Sequence, residues 1–427
     1  MTDRPDTPFG APDGGGEEIE DLEAFRARAR AFVRGSLGPS EGASFGLAAR
    51  SDEEEVARIA REREVQRLLF DAGLAGVCVP RAYGGQGLTP AHQRVLDEEL
   101  EGYESALRIQ SPTMTPCLAV LLDYGTEEQK QRHIPAILRG EELWLQFLSE
   151  PTSGSDLASA RTTAVRDGDE WVLNGSKIWT TGAWFSDWGL CLARTNWDVP
   201  KHRGLTVFML PVDLPGMELR RIEMLNGNRE FCEEFFTDVR VPDADRIGDV
   251  DQGWTVCTRW MFHERMLHNS PYVTWPVGMR AAGGGTPPFE IARAAGRLDD
   301  DEGRDLVGES RMLELVAAEL KDRVAAGVAA GAIDAQAAAV VRLFIGTASA
   351  RQATIALELV GDAAAAWSEE DGVLGEGGTG YLMRQAGSIG GGTTEMARNG
   401  ISERVLGMPR EPSADRDVAF RDVRHGR

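Results

Sequence analysis

Residues 148–156 of the chain read LSEPTSGSD, and this stretch is the most informative part of the sequence when it is taken with two others. The second is NGSKIWTTG at residues 174–182, and the third is GGGTTEMAR at residues 390–398. In each stretch, glycine frees the backbone to turn and hydroxyl side chains supply hydrogen-bonding groups. Such a set suits the binding of a flat, polar, phosphorylated cofactor.

The composition is that of an acidic globular chain. Its 427 residues correspond to two or three domains, and its hydrophobic content of 42% is ordinary. The formal net charge of −22 argues against nucleic acid and anionic lipid as partners. We expect no membrane span and no secretory signal. The five widely spaced cysteines are expected to be buried free thiols in a reducing cytoplasm, and no Cys/His cluster has metal-ligand spacing.

The hydrophobic pattern changes twice along the chain. Residues 19–142 have helical periodicity, residues 143–250 alternate with the period of two that strands show, and residues 251–410 return to helical patterns. Residues 1–18 are expected to form a disordered tail, and residues 411–427 a loose, charged one. The pattern predicts an α+β fold in which two helical domains flank a small β domain.

In their order along the chain, the three quoted motifs resemble those of the acyl-CoA dehydrogenase family of flavoproteins. PRAYGGQG at residues 80–87 and GTEEQK at residues 125–130 also resemble family motifs, and several segments look most like those of actinobacterial members. The resemblance implies an N-terminal helical domain, a middle β-barrel or sandwich domain and a C-terminal four-helix bundle. It also implies FAD as cofactor and an acyl-CoA as substrate.

Taken singly, each motif has an ordinary interpretation, since Gly-Ser-Asp is a common turn and a strand tryptophan is usually part of a core. Taken together, they imply by resemblance that the first motif lies against the flavin and its pyrophosphate. The second would place an indole beside the flavin ring and a threonine hydroxyl near its N5 atom. The residues expected to contact FAD are Leu148, Ser149, Ser155, Trp179, Thr181, Glu358, Thr393 and Glu395.

The expected chemistry requires a carboxylate that removes the α-proton of the thioester, donors for its enolate-like oxygen, and an acceptor for the β-hydride. In many family members the carboxylate immediately precedes Gly-Thr in the late glycine motif. That position is Gly391 here, and glycine cannot act as a base. A second arrangement in the family places a glutamate on the first long helix after the β domain, and Glu264 matches it.

The spacing around Glu264 supports this assignment independently. One helical face is expected to carry Cys257, Trp260, Met261, Glu264, Leu267 and His268. Burial on this largely apolar face would raise the pKa of Glu264 towards roughly 6–7, which suits a general base. The alternatives are a structural ion pair or a place at the wet edge of the face. His263 is expected to point away from Glu264 and to serve in packing.

Gly391 is then expected to have another role, in which its amide binds the thioester carbonyl, as in relatives. The alternative is a simple helix-entry loop, with Thr393 as the cap and Glu395 as the N-terminal charge. Ser155 and Arg265 are expected to contact the substrate, although Arg265 could equally anchor the end of its helix.

A basic turn and two missing motifs leave further questions open. His202, between Lys201 and Arg203, either neutralises CoA phosphates or belongs to a solvated turn. The family's Arg-x-x-Phe-Gly motif is absent between Arg280 and Arg323, and its Gly-Gly-x-Gly segment is degraded at residues 360–364. FAD contacts from a neighbouring subunit are therefore replaced, or the assembly is heteromeric, as in some actinobacterial members.

Three functions follow from these observations. The first is FAD-dependent α,β-dehydrogenation of an acyl-CoA, with an electron-transfer flavoprotein or a similar acceptor as partner. The second is an acyl-CoA oxidase or flavin monooxygenase on the same fold. The third is a subunit of low activity in a heteromeric dehydrogenase. The expected assembly is a homodimer or homotetramer, or else a heterotetramer.

Overall fold

The computed structural model describes residues 19–40, 51–265, 270–274, 286–366 and 372–423. The expected tail at residues 1–18 therefore lies outside the described part. No helix within these ranges is long and apolar enough to cross a membrane. All five cysteines are free thiols, and four of them are buried, with Cys78 partly exposed.

The N-terminal part of the chain is helical, as predicted. Its helices are α1 (Leu22–Ser36), α2 (Asp52–Asp71), α3 (Pro90–Glu99), α4 (Leu107–Pro112), α5 (Ala119–Tyr124) and α6 (Glu127–Leu138). A π-helical turn at Thr113–Leu118 joins α4 to α5. Side chains define where helices begin: Asp21 accepts hydrogen bonds from two amides of α1, and Ser51 and Thr126 form capping boxes.

Eight strands follow and form one mixed sheet. They are β1 (Trp144–Phe147), β2 (Thr163–Asp167), β3 (Glu170–Thr181), β4 (Trp188–Arg194), β5 (Leu205–Pro211), β6 (Met217–Arg221), β7 (Phe231–Pro242) and β8 (Arg246–Ile247). Their order is β6-β7-β3-β2-β4-β5-β8, and β1 pairs with β4 in parallel. The strands β4 and β5 are almost continuously apolar because both of their faces are buried.

Helices return after the sheet. They are α7 (Gly253–Arg265), α8 (Pro288–Ala294), α9 (Asp301–Ala329), α10 (Ala338–Val360), α11 (Val373–Met383), α12 (Ala386–Ile389) and α13 (Thr394–Gly400). The two long helices α9 and α10 pack against each other. Ile355 and Leu359 of α10 are fully buried in a cluster with Ile291 of α8. The order helix, strand, helix confirms the predicted α+β class.

One apolar cluster joins the helical and β parts of the chain. Trp144 of β1 stacks on Trp188 of β4 with ring centroids 5.5 Å apart. Leu192 and Val207 of the sheet are buried in the same cluster, as is Trp260 of α7. Helix α7 is therefore fixed against the sheet on one side and against the π-helical turn and α5 on the other.

The segment that follows α13 returns to the β domain. Phe420 is completely buried, and its amide donates to the carbonyl of Val199 at 2.9 Å. The amide of Arg421 donates to the carbonyl of Trp197 at 3.0 Å. Within the described part of the segment expected to be loose, residues 411–423, the ring of Phe420 lies over Arg194.

Candidate active site

A buried ion pair joins the LSEPTSGSD and NGSKIWTTG motifs. The ammonium group of Lys177 lies 2.9 Å from Oε1 of Glu150 and also donates to the carbonyls of Leu148 at 3.0 Å and Leu192 at 2.7 Å. Burial alone would raise the pKa of Glu150, but the charge of Lys177 and two backbone amide donors outweigh it and hold that pKa below its usual value. This buried pair therefore holds the backbones of the two motifs together.

The backbone of the first motif lies beside β3 and then turns outwards. The amide of Ile178 donates to the carbonyl of Ser149 at 2.9 Å, and Leu148 packs against the central apolar cluster. The hydroxyl of buried Ser153 donates to the carbonyl of Asp156 at 2.8 Å, which closes the turn. Ser155 lies exposed on it. The structure thus places Leu148 and Ser149 next to the second motif.

Trp179 occupies an irregular position in β3. The pairing of β3 with β7 shifts register between Ile178 and Thr180, and Trp179 itself has φ of +65°. The left-handed region is costly for a bulky side chain, and such strain is often found at functional sites. The indole is 53% exposed and contacts the ring of Phe231 edge-on at 5.9 Å. Trp179 is therefore an exposed aromatic surface beside half-buried Thr181.

The strand pair β3 and β7 also contains a buried carboxyl group that was not predicted from the sequence. Oε2 of Glu234 accepts a hydrogen bond from the hydroxyl of Thr180 at 2.8 Å, and Glu234 is fully buried. Oε1 has no hydrogen-bond partner among the described residues. Burial raises the pKa of Glu234 to about 8. The alternation of β7 was the available signal, because Glu234 lies between inward-facing Cys232 and Phe236.

Helix α7 carries the candidate base. Cys257 and Trp260 are fully buried, as the predicted face requires, and Glu264 is half-buried. His263 is also buried, and its Nε2 atom lies 3.2 Å from Oδ2 of Asp123 on α5. Its role within this chain is therefore structural. Leu267, His268 and the side chain of Arg265 lie outside the described residues.

The charge of Glu264 acts on two other groups. Burial raises the pKa of the Cys117 thiol well above its usual value, and the charge of Glu264 adds to this rise. Burial lowers the pKa of the Arg342 guanidinium, and the charge of Glu264 opposes this change. The carboxylate of Glu264 therefore lies near both the π-helical turn and the beginning of α10.

Arg342 also reaches the late glycine motif. Its Nη2 atom donates to the carbonyl of Gly390 at 2.7 Å. Gly391 and Gly392 have φ of +69° and +96°, which only glycine adopts readily. Nothing lies within 4 Å of where a Cβ on Gly391 would be, so the loop is open on that side. Arg342 was also missed from the sequence, although it is the first charged side chain of an otherwise apolar stretch of α10.

The residues after the glycine loop behave as a helix entry. The hydroxyl of Thr393 accepts a hydrogen bond from the amide of Met396 at 3.0 Å and caps α13. Glu395 lies in the first turn and pairs with Arg398 at 3.2 Å. Thr393 therefore caps α13 and Glu395 supplies a charge in its first turn, as the helix-entry alternative expects. The same loop can still bind a ligand, because the amide of Gly391 has no role in the cap.

Glu358 lies far from the other candidates. It is exposed on α10 and forms an ion pair with Arg351 at 3.0 Å. It follows Arg342 by sixteen residues on the same helix, which places the two about 24 Å apart. One chain therefore does not bring Glu358 to the glycine loop.

The basic turn is partly neutralised by carboxylates. Nζ of Lys201 lies 2.9 Å from Oδ2 of Asp156 and 3.2 Å from Oδ2 of Asp415. His202 contacts the ring of Trp254 edge-on at 4.9 Å, and burial lowers its pKa. In this structure Lys201 therefore joins the first motif to the C-terminal segment. The part of the chain that the structure describes contains no cluster of side chains able to hold a metal ion.

Comparison with known sequences gives consistent matches. The model of the acyl-CoA dehydrogenase N-terminal domain matches residues 19–141, and that of the middle domain matches residues 146–239. The chain is 35% identical over 397 residues to acyl-CoA dehydrogenase FadE34 of Mycobacterium tuberculosis, covering 91% of this chain but 52% of that protein. It is 32% identical to acyl-CoA dehydrogenase IpdE1 of the same bacterium, covering 92% of this chain and 99% of that protein. The chain thus spans about half of FadE34 and nearly all of IpdE1.

Solved structures of the same fold are also similar. The Tcur3481-Tcur3483 steroid ACAD matches with a TM-score of 0.71 and 26% identity, over 92% of this chain and 100% of that one. The ChsE4-ChsE5 complex from Mycobacterium tuberculosis matches in fold, with a TM-score of 0.68 and 24% identity over 93% of this chain and 100% of that one.

Proposed function

The chain belongs to the acyl-CoA dehydrogenase family of flavoprotein oxidoreductases, and on this basis we propose that it carries out FAD-dependent α,β-dehydrogenation of an acyl-CoA. The observation that carries the proposal is Arg342, which donates to the carbonyl of Gly390 in the glycine loop and whose pKa responds to the charge of half-buried Glu264. A carboxylate and an open loop with an available amide are the two groups needed at the α-carbon and at the thioester oxygen.

The first two motifs fit a flavin. An isoalloxazine ring has apolar faces and polar edges, so it requires an aromatic wall with hydroxyl and main-chain groups at its rim. The exposed indole of Trp179, carried on a strained backbone, offers the aromatic surface for one face of the ring. Leu148, Ser149, Ser155 and Thr181 offer the polar rim and the turn beside it. When bound, FAD supplies the acceptor for the β-hydride.

Glu264 is the proposed base. It takes the α-proton, while the amide of Gly391 donates a hydrogen bond to the thioester carbonyl and stabilises the developing oxyanion. Removal of one such donor typically costs about 2.7–4 kcal/mol of transition-state stabilisation. Arg265 and Ser155 are proposed to contact the substrate.

The remaining candidates concern assembly. We propose that Glu358 contacts FAD held by another subunit, because it is too far from the glycine loop of its own chain, whereas Thr393 and Glu395 contact FAD beside that loop. Two of the similar structures are named for pairs of proteins, and this chain lacks the family's Arg-x-x-Phe-Gly motif between Arg280 and Arg323. Both observations favour a heteromeric assembly.

The visible spectrum of the purified chain tests the function. We expect a flavin spectrum that bleaches when a matching acyl-CoA is added without oxygen. The panel should include a steroid thioester, because a steroid ACAD is among the similar structures. Oxygen consumption during turnover would instead identify the oxidase or monooxygenase. A colourless chain that becomes yellow and active only with a second chain would identify a heteromeric subunit.

Substitution of the base gives a sharper test. Glu264→Gln keeps the shape of the side chain but removes its ability to accept a proton. We expect flavin content and melting temperature to stay as in the wild type while turnover falls by at least a factor of about 100, the lower end of general-base effects. The control is Glu319→Gln, because Glu319 is exposed on α9 and pairs with Arg323. Ordinary activity in Glu264→Gln would reject the assignment.

A further inference from the structure

We propose that residues 413–423 form a C-terminal strap that positions the turn at residues 154–161. The inference rests on the proposed function, which places Ser155 of this turn against the cofactor and substrate. Two separate lines of contact, one through Phe420 and one through Asp415, lead from the strap to the turn.

The first line of contact runs through Arg194. Its guanidinium donates to the carbonyls of Ala158 at 2.6 Å, Ala160 at 3.1 Å and Lys201 at 2.8 Å. Arg194 is fully buried and forms no ion pair with a carboxylate among the described residues. The ring of Phe420 covers it, with Cζ of Arg194 3.8 Å from the ring centroid. Burial lowers the pKa of Arg194 to about 10, and the charges of Glu150, Asp251 and Asp156 oppose this change.

The second line of contact runs through Lys201. Its ammonium group bridges Asp415 of the strap, at 3.2 Å, and Asp156 of the turn, at 2.9 Å. Lys201 is largely buried, whereas both carboxylates are partly exposed, so the bridge lies at the edge of the surface. Asp156 directly follows Ser155. The strap therefore acts on the residue next to the one that the proposed function assigns to cofactor and substrate.

The two lines meet on one short piece of backbone. Arg194 holds the carbonyls of Ala158 and Ala160, and Lys201 holds the carboxylate of Asp156. Without Phe420, water would reach Arg194 and compete for its hydrogen bonds to the turn. The turn would then sample more conformations, and Ser155 would be displaced from its working position for part of the time. Phe420 and Asp415 are therefore positioning residues.

Hydrogen exchange of backbone amides tests the structural part of this inference on the full chain as purified. In Phe420→Ala we expect the amides of residues 157–161 to exchange about tenfold faster than in the wild type, which corresponds to a loss of about 1.4 kcal/mol. Phe420→Leu keeps an apolar cover and should show a smaller increase. Faster exchange confined to residues 413–423 would overturn the proposal.

A milder pair of variants guards against misfolding of Phe420→Ala. Asp415→Asn removes one partner of Lys201, whereas Asp417→Asn makes the same charge change at an exposed position two residues away. We expect faster exchange in residues 154–161 and several-fold weaker FAD retention in Asp415→Asn only. Equal amide exchange and equal FAD retention in the two variants would overturn the proposed role of the Asp415–Lys201–Asp156 bridge.

The wild type separates failure of this inference from failure of the proposed function. If wild-type flavin bleaches with a thioester but the strap variants exchange and retain FAD like the wild type, the strap proposal fails and the function stands. If the variants loosen the turn but no thioester ever reduces the wild type, the function fails and the strap remains the anchor of the turn.

Discussion

Two buried carboxyl groups lie near the single buried ammonium group of Lys177, and they are not equivalent. Glu150 forms the ion pair and receives two backbone amides in addition, which keeps it ionised. Glu234 lies opposite Lys177 in the pairing of β3 with β7 but bonds to Thr180 instead. A second buried negative charge would be costly without a partner, so Glu234 is neutral at pH 7.

This difference predicts how stability depends on pH. The pKa of Glu234 is about 8 in the folded chain and close to the ordinary 4.5 when unfolded, so the unfolded state releases this proton first. Its contribution to stability is full below pH 4.5 and is lost as pH rises towards 8. Glu234→Gln imitates the protonated form and should remove this loss, a gain of a few kcal/mol at pH 8.5 relative to pH 5.

Urea unfolding of both proteins at pH 5, 7 and 8.5 checks the prediction. The free energy of unfolding of the wild type should fall relative to that of Glu234→Gln across this range. Glu319→Gln, at an exposed carboxylate on α9, provides the control. Parallel curves for the wild type and Glu234→Gln would show that Glu234 is ionised in both states.

The sequence was better at showing which single residues are candidates for function than at showing what surrounds each of them. Glu264 was predicted on a buried helical face, and the structure places it half-buried beside Arg342. Its proposed role as the base stays a prediction. Glu234 and Arg342 were missed, because the environment of each depends on residues far away in the sequence. Each had one local signal: the inward alternation of β7 for Glu234, and the isolation of a charged side chain among apolar residues for Arg342.

The irregularity in β3 leads to a prediction about one element. Trp179 is strained and exposed, so it contributes little to the fold and is free to bind. Trp179→Gly should leave the melting temperature unchanged or slightly higher, because glycine tolerates the left-handed region and relieves about 1 kcal/mol of strain. FAD retention should weaken about three- to tenfold through loss of a stacking surface.

Flavin titration and thermal unfolding of the same samples measure both effects. Trp179→Phe keeps an aromatic face and should retain most of the FAD affinity. A fall in melting temperature as large as that of a core substitution would instead make Trp179 a structural residue.

The regular elements were predictable, whereas the irregular ones were not. Apolar runs marked β4 and β5, and helical periodicity marked the helices on either side of the sheet. The π-helical turn at Thr113–Leu118 was not predicted. Pro112 and Pro116 both lack an amide donor, which weakens the α-helical pattern there, but their spacing does not specify the wider turn that results.

In the molecule as a whole, Arg342 brings a positive charge from the C-terminal helices into the electrostatic surroundings of the proposed base. Arg342→Gln removes a positive charge near Glu264 and a donor to Gly390. Because an opposite charge favours the ionised carboxylate, its loss should move the acid limb of the pH–rate profile upwards by about one pH unit.

The measurement is kcat/KM against pH for the wild type, Arg342→Gln and Arg323→Gln. Arg323 is 77% exposed on α9, so its substitution makes the same charge change at a solvent-exposed position. If the pH–rate profile of Arg342→Gln superimposes on that of the wild type, Arg342 does not affect the ionisation of the catalytic base.

Long-range contacts explain why the whole molecule was harder to predict than its parts. The charged sequence after α13 gave no sign that Phe420 would cover Arg194, since the two residues lie on distant segments. The separation of Glu358 from the glycine loop became visible only when α10 was found to be one unbroken helix. Hydrophobic periodicity and sequence motifs establish the secondary-structure elements and their order, but they do not show which elements pack against one another.

The apolar cluster that joins the helices to the sheet has a practical consequence for making chimaeras. Trp144, Leu192 and Val207 share one interior with Leu118 and Ile134 of the helical part. A hybrid that took residues 19–141 from a relative and kept the remainder would have to reconcile two halves of one packed interior. Exchanging family members at this junction therefore requires both sides of the cluster to be transplanted together, even though the sequence models treat them as separate modules.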